Sequence, residues 1–381
     1  MPFVEVNERA AREIERGGLH VYAQNVKKAK ADDGEWVEIR YGQKTLGYGF
    51  YSKRSSIPVK LFAREEKEPK EVIWERMGFA HGWKSRIYGD VYRWIFGEGD
   101  LLPGLIVDRY GDVAVVKNNT LGLERYLDTV VEVLSDHGVE HVLLRGEGQA
   151  RLREGLPKRV EWLLGRKDRT IIEEGHARFI VDVSGGQKTG FYLDQRENRK
   201  ELERYVERGD RVLDVFASTG GFGIHAAVAG ASVEFVELGK LATELIGENL
   251  KLNGVKGRIR QGDALDIMKR LAEKGKKYDV VVLDPPALAK GKADLNRAKK
   301  MYFRINELGI GLLKEGGLLV TCSCSHPITP REFLGIVEGA AEKHGKNVQM
   351  LGELRGQAPD HTVYLPQPET KYLKCLFAHI I

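Results

Sequence analysis

Cysteine is scarce in this chain: three occur in 381 residues, at positions 322, 324 and 375. Two of them stand only two apart, so a disulfide framework is excluded and a reducing cytoplasm is the expected location. No apolar run approaches the length needed to span a bilayer. The N-terminus, Met1 to Arg16, mixes acids with bases and lacks the apolar segment of a secretory signal. A large excess of one charge is also missing, since 60 Lys and Arg against 55 Asp and Glu leave a net charge of +5. Neither internal repeats nor low-complexity tracts interrupt the chain. With 42% hydrophobic residues, the sequence describes a folded protein of two or three domains.

The charge that is present is clustered. From His20 to Arg64, nine Lys or Arg stand against four Asp or Glu, and Lys290, Lys292, Arg297, Lys299, Lys300 and Arg304 form a second basic group. Such clusters suit a polyanion such as nucleic acid, although a solvated surface explains either one taken singly.

Three segments are expected: 1–70, 71–184 and 185–381. In the first, Trp36–Tyr41 and Leu46–Tyr51 are short alternating runs around the turn at Gly42, the pattern of a hairpin in a small β-rich module. Lys67-Glu-Pro-Lys70 reads as a linker. The middle segment mixes strands with an amphipathic helix over Leu121–Leu134 and a turn at Asp108–Asp112. Beyond Gly185, strand-like runs at Arg211–Val215, Ser232–Glu237, Gly257–Gln261, Tyr278–Leu283 and Gly317–Thr321, most of them dominated by Val, Ile and Leu, alternate with helical stretches. Most of them lack strict alternation, as strands buried on both faces of a parallel sheet do. The prediction is a doubly wound, Rossmann-like α/β domain whose ligands bind beyond the carboxyl ends of its strands.

Those strand ends carry the chemistry. Asp214-Val-Phe-Ala-Ser-Thr-Gly-Gly-Phe-Gly223 follows the first strand and opens a helix; its glycines permit a tight turn and close approach to a ligand. Gly221-Phe-Gly223-Ile-His-Ala226 also fits a dinucleotide fingerprint, so an NAD-dependent oxidoreductase is one reading. Asp214, Glu237, Asp263 and Asp284 end four successive strands, a placement that solvated acids do not need. It favours S-adenosylmethionine, with Asp214 toward the amino-acid moiety, Glu237 on ribose hydroxyls and Asp263 on the adenine amine. Phe216, Ala217, Ser218, Thr219, Gly220, Gly221 and Pro285 complete the expected lining. No metal is expected.

Leu318-Leu-Val-Thr-Cys-Ser-Cys-Ser-His326 brings two thiols to the next strand end. An acid before Pro-Pro, with a thiol one apolar run later, suits methyl transfer to carbon 5 of a pyrimidine. A thiolate adding to carbon 6 makes carbon 5 nucleophilic, a base later removes the carbon 5 proton, and the thiol leaves. Asp284 is the candidate to hydrogen-bond N3 of the base. Cys322 and Cys324 share one face of an extended strand, so either fits on this argument. Small buried hydrophobes are the competing explanation for both, and the accepted one for Cys375.

Together, Thr189-Gly-Phe-Tyr-Leu-Asp-Gln-Arg-Glu-Asn-Arg199, the Asp214–Gly223 loop, Asp284-Pro-Pro286 and the Gly316–Ser325 segment resemble the cytosine-5 methyltransferases of large-subunit (23S) ribosomal RNA. Pro103–Gly111 and Gly356-Gln-Ala-Pro-Asp-His361 match the same pattern, so the resemblance spans nearly the whole chain. It implies an N-terminal PUA domain, a central mixed α/β domain and a class I methyltransferase domain. By the family's spacing from Gly317, Cys324 is the nucleophile and Cys322 a supporting neighbour. The resemblance assigns Gln195 and Arg196 to the cofactor, and Phe191, Tyr192, Pro286, Lys290, Lys299, Lys300 and His361 to the RNA. Relatives often follow Asp-Pro-Pro with Lys and an aromatic; Ala287 and Leu288 stand here instead. Guanine methylation by the same fold, and an inactive RNA-binding protein, are the alternatives. The partners expected are 23S ribosomal RNA and, as an open option, a second copy of the chain; no membrane is expected.

Overall fold

The computed structural model describes residues 1–381 except Gln187 and Lys290, with Lys292 described by its backbone alone. The chain packs as two compact units. The first comprises residues 1–170, 182–190 and 359–370. Its N-terminal sheet has six strands in the order His20–Val21, Val59–Ala63, Lys44–Tyr51, Trp36–Tyr41, Phe3–Val6 and Val26–Lys30. The hairpin expected from Trp36–Tyr41 is present, paired antiparallel with Lys44–Tyr51. A second sheet of five strands runs Arg159–Leu164, His141–Gly146, Val113–Asn118, Leu105–Tyr110 and Val91–Phe96.

Residues 67–70 do not form an extended linker. Pro69 opens a helix that continues to Tyr88, because proline lacks only the N–H that a first helical residue leaves unpaired anyway. That helix contributes Val72, Ile73 and Met77 to a core shared by Tyr48, Phe50 and Phe62 of the first sheet and Trp94 and Leu105 of the second. The two sheets are therefore tied by common apolar burial. The expected helix at Leu121–Leu134 is a 3₁₀ turn, Gly122–Tyr126, running into an α-helix over Leu127–Asp136.

The second unit comprises residues 171–181, 191–358 and 371–381. Its sheet has seven strands: β1 (Arg211–Val215), β2 (Ser232–Glu237), β3 (Gly257–Gln261), β4 (Tyr278–Leu283), β5 (Leu313–Ser323), β6 (Val348–Met350) and β7 (Lys374–Ile380). They lie in the order β3-β2-β1-β4-β5-β7-β6. The first five are parallel, β7 runs antiparallel to β5, and β6 antiparallel to β7. Helices α1 (Gly221–Val228), α2 (Lys240–Leu252), α3 (Ala264–Glu273), α4 (Leu295–Gly311) and α5 (Pro330–Glu342) accompany the strands. Val212, Leu213, Val281, Val282, Leu319 and Val320 are buried, as central parallel strands require.

The chain leaves β1 toward β2 and β3, then returns to β4 on the other side of β1. That reversal opens a crevice at the carboxyl ends of β1 and β4. No helix among the described residues is long and apolar enough to cross a membrane.

Candidate active site

The loop after β1 is built for close approach. Phe216 and Ser218 hold left-handed φ values of 63° and 50°, and Gly220 follows at 88°. Two such conformations in side-chain-bearing residues are strained, and strain of this kind gathers at functional sites. At Gly223 no other residue fits: a Cβ would lie 2.2 Å from the Phe235 ring and 2.9 Å from the Asp214 carboxylate. Asp214 uses that approach to accept the Gly223 N–H at 2.8 Å, fixing the start of α1.

Four acids stand at the ends of β1 to β4. Asp214 is buried, and burial together with the Asp284 and Glu237 carboxylates pushes its pKa up to about 7 despite the Gly223 bond. Glu237 accepts N–H groups from Ser218, Leu238 and Gly239 at 2.8–2.9 Å, closing the loop after β1 onto the end of β2. Asp263 caps α3 through the Asp266 N–H at 3.1 Å and is exposed. Asp284 is part-exposed. An acidic edge of this kind suits a ligand carrying an ammonium and a sulfonium, so the residues present fit S-adenosylmethionine. Thr219 is held from behind, its carbonyl accepting the buried Asn249 side chain at 2.9 Å.

The next strand end carries the thiols, and the structure separates them. β5 stops at Ser323, so the alternation that would put Cys322 and Cys324 on one face ends between them. Cys322 is fully buried directly across from Cys375, their sulfurs 3.0 Å apart, and burial with that contact pushes its pKa well up. Cys324 lies just past the strand, part-exposed, with its sulfur 3.9 Å from the Pro285 carbonyl. Buried Ser325 joins the two loops. Its hydroxyl accepts the Leu288 and Ala289 N–H groups, each at 3.0 Å, and meets the Tyr302 hydroxyl at 3.0 Å. The segment after Asp284-Pro-Pro is thereby clamped to the segment bearing Cys324.

Tyr192 is part-exposed, and burial pushes its pKa up, as do the nearby charges of Asp194, Asp284, Cys324 and Glu237. The remaining expected residues sit as follows. Phe191 is buried against Phe179, under the Arg199 guanidinium. Gln195 is buried and accepts from Asn198 at 2.7 Å, while Arg196 donates to buried Glu174 at 3.3 Å. Pro286 is exposed. Lys299 pairs with Glu332 at 2.6 Å, and with Lys300, Phe303 and Ile336 it lines a groove of about 450 Å³. Lys290 lies outside the described residues. His361 belongs to the first unit, buried against Phe96 and bonded to Asp360 at 2.8 Å.

Three groups near the site escape the sequence reading. Lys374 opens β7 and is buried, although a lysine heading an otherwise apolar run was a usable signal. Tyr372 donates to Asp194 at 2.5 Å. Glu174, Arg199 and His225 form a buried charged cluster behind α1.

A strained glycine loop at the switch point, acids on four consecutive strand ends and β7 inserted antiparallel beside β5 define a class I methyltransferase fold. The chain belongs to the S-adenosylmethionine-dependent methyltransferase family, whose model matches residues 112–358, and a PUA-like domain model matches residues 4–64. It is 40% identical to a Methanocaldococcus jannaschii protein named as a ribosomal RNA large subunit methyltransferase, over 96% of each chain. It is 36% identical to ribosomal RNA large subunit methyltransferase I of Shewanella amazonensis, covering 93% of this chain and 92% of that one. A solved S-adenosylmethionine-dependent methyltransferase from Streptococcus mutans shares the fold at TM-score 0.83 and 20% identity over the whole of both chains. A methyltransferase complexed with S-adenosylhomocysteine does so at TM-score 0.85 and 21% identity, again over both chains.

Proposed function

We propose that this protein methylates carbon 5 of a cytosine in large-subunit ribosomal RNA through a covalent adduct at Cys324. The observation that carries the reading is the contrast between the thiols: Cys322 and Cys375 are sealed against each other, whereas Cys324 is part-exposed beside the Asp284-Pro-Pro loop. Cysteine is the residue this reaction needs, because carbon 5 must be made nucleophilic by addition at carbon 6. The names of the relatives, at 36–40% identity over more than nine-tenths of the chain, support ribosomal RNA as the substrate.

The chain's residues divide the work. Asp214, Glu237 and Asp263, with the 216–221 loop and Pro285, hold S-adenosylmethionine, which supplies the electrophilic methyl group. Gln195 and Arg196 support that pocket from the segment preceding β1. The Cys324 sulfur bonds to carbon 6, and Asp284, protonated once the base is bound, donates a hydrogen bond to the ring at N3. Once carbon 5 has taken the methyl, its proton leaves to a base, the carbon–sulfur bond breaks, and the thiolate is restored. Tyr192 and Pro286 border the space for the base, and Phe191, packed on Phe179, holds the segment that carries Tyr192. Residues 1–70 serve as the PUA-like RNA-binding domain, 71–184 as the central domain and 185–381 as the methyltransferase domain. Lys299, Lys300, Lys290 and His361 contribute contacts to RNA, whose phosphates favour clustered cations.

Mass mapping of ribosomal RNA from a strain lacking the gene tests the substrate. One 5-methylcytidine of the large-subunit RNA should be absent and should return when the native chain is supplied. Loss of a methylated guanosine with every 5-methylcytidine intact would overturn the reading.

A further inference from the structure

We propose that Lys374 is the fixed positive charge that keeps the Cys324 sulfur as a thiolate. This rests on the reading of Cys324 as the nucleophile and adds to it a residue that positions and charges that sulfur without touching the RNA.

The placement follows from the register of the sheet. Lys374 opens β7 directly opposite Ser323, the last residue of β5, so its side chain arrives where Cys324 leaves the sheet. Only 5% of Lys374 is exposed. Its Nζ donates to the Ser325 carbonyl at 2.8 Å and to the Ile328 carbonyl at 2.9 Å, holding both ends of the turn that follows Cys324. No carboxylate forms an ion pair with it among the described residues. A buried ammonium satisfied only by neutral carbonyls carries a desolvation cost that calls for an anion.

The groups around the thiol narrow what that anion is. The Cys324 sulfur lies 3.9 Å from the carbonyl of Pro285, next to Asp284; Tyr302 of α4 and Lys374 of β7 both bond to Ser325, the residue after it; and the charges of Cys324 and Glu332 act on Lys374. Burial pushes the Tyr302 phenol up to about 12, so it stays neutral. Asp284 opposes a second negative charge nearby. Lys374 alone among these groups is a cation. Burial pushes its pKa down to about 8, while Cys324 and Glu332 favour its charged form. The charge is thus present at neutral pH and fades as pH rises through that value.

A lysine that merely tethers the turn would be replaced by any long side chain able to donate to the two carbonyls; a lysine acting by charge would not. The test is the rate of iodoacetamide alkylation at Cys324 in the full-length protein, followed by peptide mass across a pH series. Cys322 and Cys375 are fully buried and report separately. In the native protein the midpoint should fall below the ordinary thiol value of about 8.5. Lys374→Gln, which keeps N–H donors, and Lys374→Met should raise it by about one to three units, and Lys374→Arg should preserve it.

A native midpoint at or above the ordinary value overturns the proposal without any variant. So does an unchanged midpoint in Lys374→Gln, or an equal shift in Lys374→Gln and Lys374→Arg. Thermal melting and S-adenosylmethionine binding confirm that each variant is folded. Alkylation reads ionisation whether or not RNA is modified, so a low midpoint with no RNA adduct would sink the catalytic reading and leave the charge pairing standing.

Discussion

Replacing Cys324 with alanine should lower methyl transfer to ribosomal RNA by at least about 10³-fold while leaving S-adenosylmethionine binding unchanged. Removing the sulfur removes the only route by which this chain would activate carbon 5. It should leave the cofactor pocket alone, because the loop at 216–221 and the carboxylates of Asp214 and Glu237 are fixed by their own hydrogen bonds. Cys322→Ala is the matching control. Its sulfur is sealed against Cys375 and its raised pKa keeps it a thiol, so most activity should survive. Calorimetry and a methyl-transfer assay on both variants separate the outcomes. Full turnover by Cys324→Ala, or loss confined to Cys322→Ala, would reverse the assignment.

Glu174→Ala should strongly destabilise the second unit, costing about 3–5 kcal/mol, because it strands buried cations. Glu174 is 2% exposed and takes Arg199 through both oxygens, at 2.5 and 2.8 Å. The same carboxylate receives Arg196 at 3.3 Å and His225 at 3.1 Å. Burial alone would raise its pKa, but Arg199 and His225 outweigh burial and hold it well below the usual carboxylate range. The cluster also reaches the site: Arg199 donates to the Tyr192 carbonyl at 2.9 Å and packs against Gly221 at the start of α1. A drop of more than about 6 °C in the melting midpoint, with weaker cofactor binding, is the expected result. Melting within a degree of the native protein would contradict it.

The same cluster carries a pH signature. Burial opposes charge on His225, yet the hydrogen bonds it donates to Glu174 and Glu203 outweigh it and raise the imidazole above its ordinary 6.5. A raised folded value means that the proton stabilises the native state. This contribution is complete below 6.5 and is lost as pH climbs through the higher folded value. Glu174 acts in the opposite sense, its contribution being present above 4.5 and fading only as pH falls toward its depressed folded value. Melting of the native protein should therefore decline on the alkaline side of neutrality more steeply than that of His225→Gln.

Much of this site was legible in the sequence, for reasons particular to its residues. Strands β1 to β4 have the boundaries expected; β1, β2 and β4 are legible from their apolar residues, because central parallel strands leave little room for polar side chains, whereas β3 is a polar edge strand. The acids and glycines were legible because chemistry places them at strand ends. Strand alternation left the two thiols equivalent and only the resemblance pointed to Cys324, since nothing in Thr-Cys-Ser-Cys says that the strand stops at Ser323. Glu174 sits in Glu173-Glu174-Gly175, which reads as a solvated turn; only the tertiary fold brings Arg199 and His225 to it. Lys299 and Lys300 read as one basic surface, whereas Lys299 is partly spent on Glu332, which also completes the capping box of α5. The helix from Pro69 was missed because Lys67-Glu-Pro-Lys70 has the composition of a linker, and the apolar residues that hold it come from two different sheets.

The central claim is the covalent bond between Cys324 and carbon 6 of the target base. Large-subunit ribosomal RNA carrying 5-fluorocytosine, incubated with the native protein and S-adenosylmethionine, tests it directly. Fluorine at carbon 5 cannot leave as a proton does, so the thiol cannot be released. Digestion followed by peptide mass analysis should find methylated fluorocytosine attached to the peptide carrying Cys324, and no adduct in Cys324→Ala. An adduct on the Cys322 sulfur, or complete turnover of the fluorinated RNA with no adduct, would contradict the account.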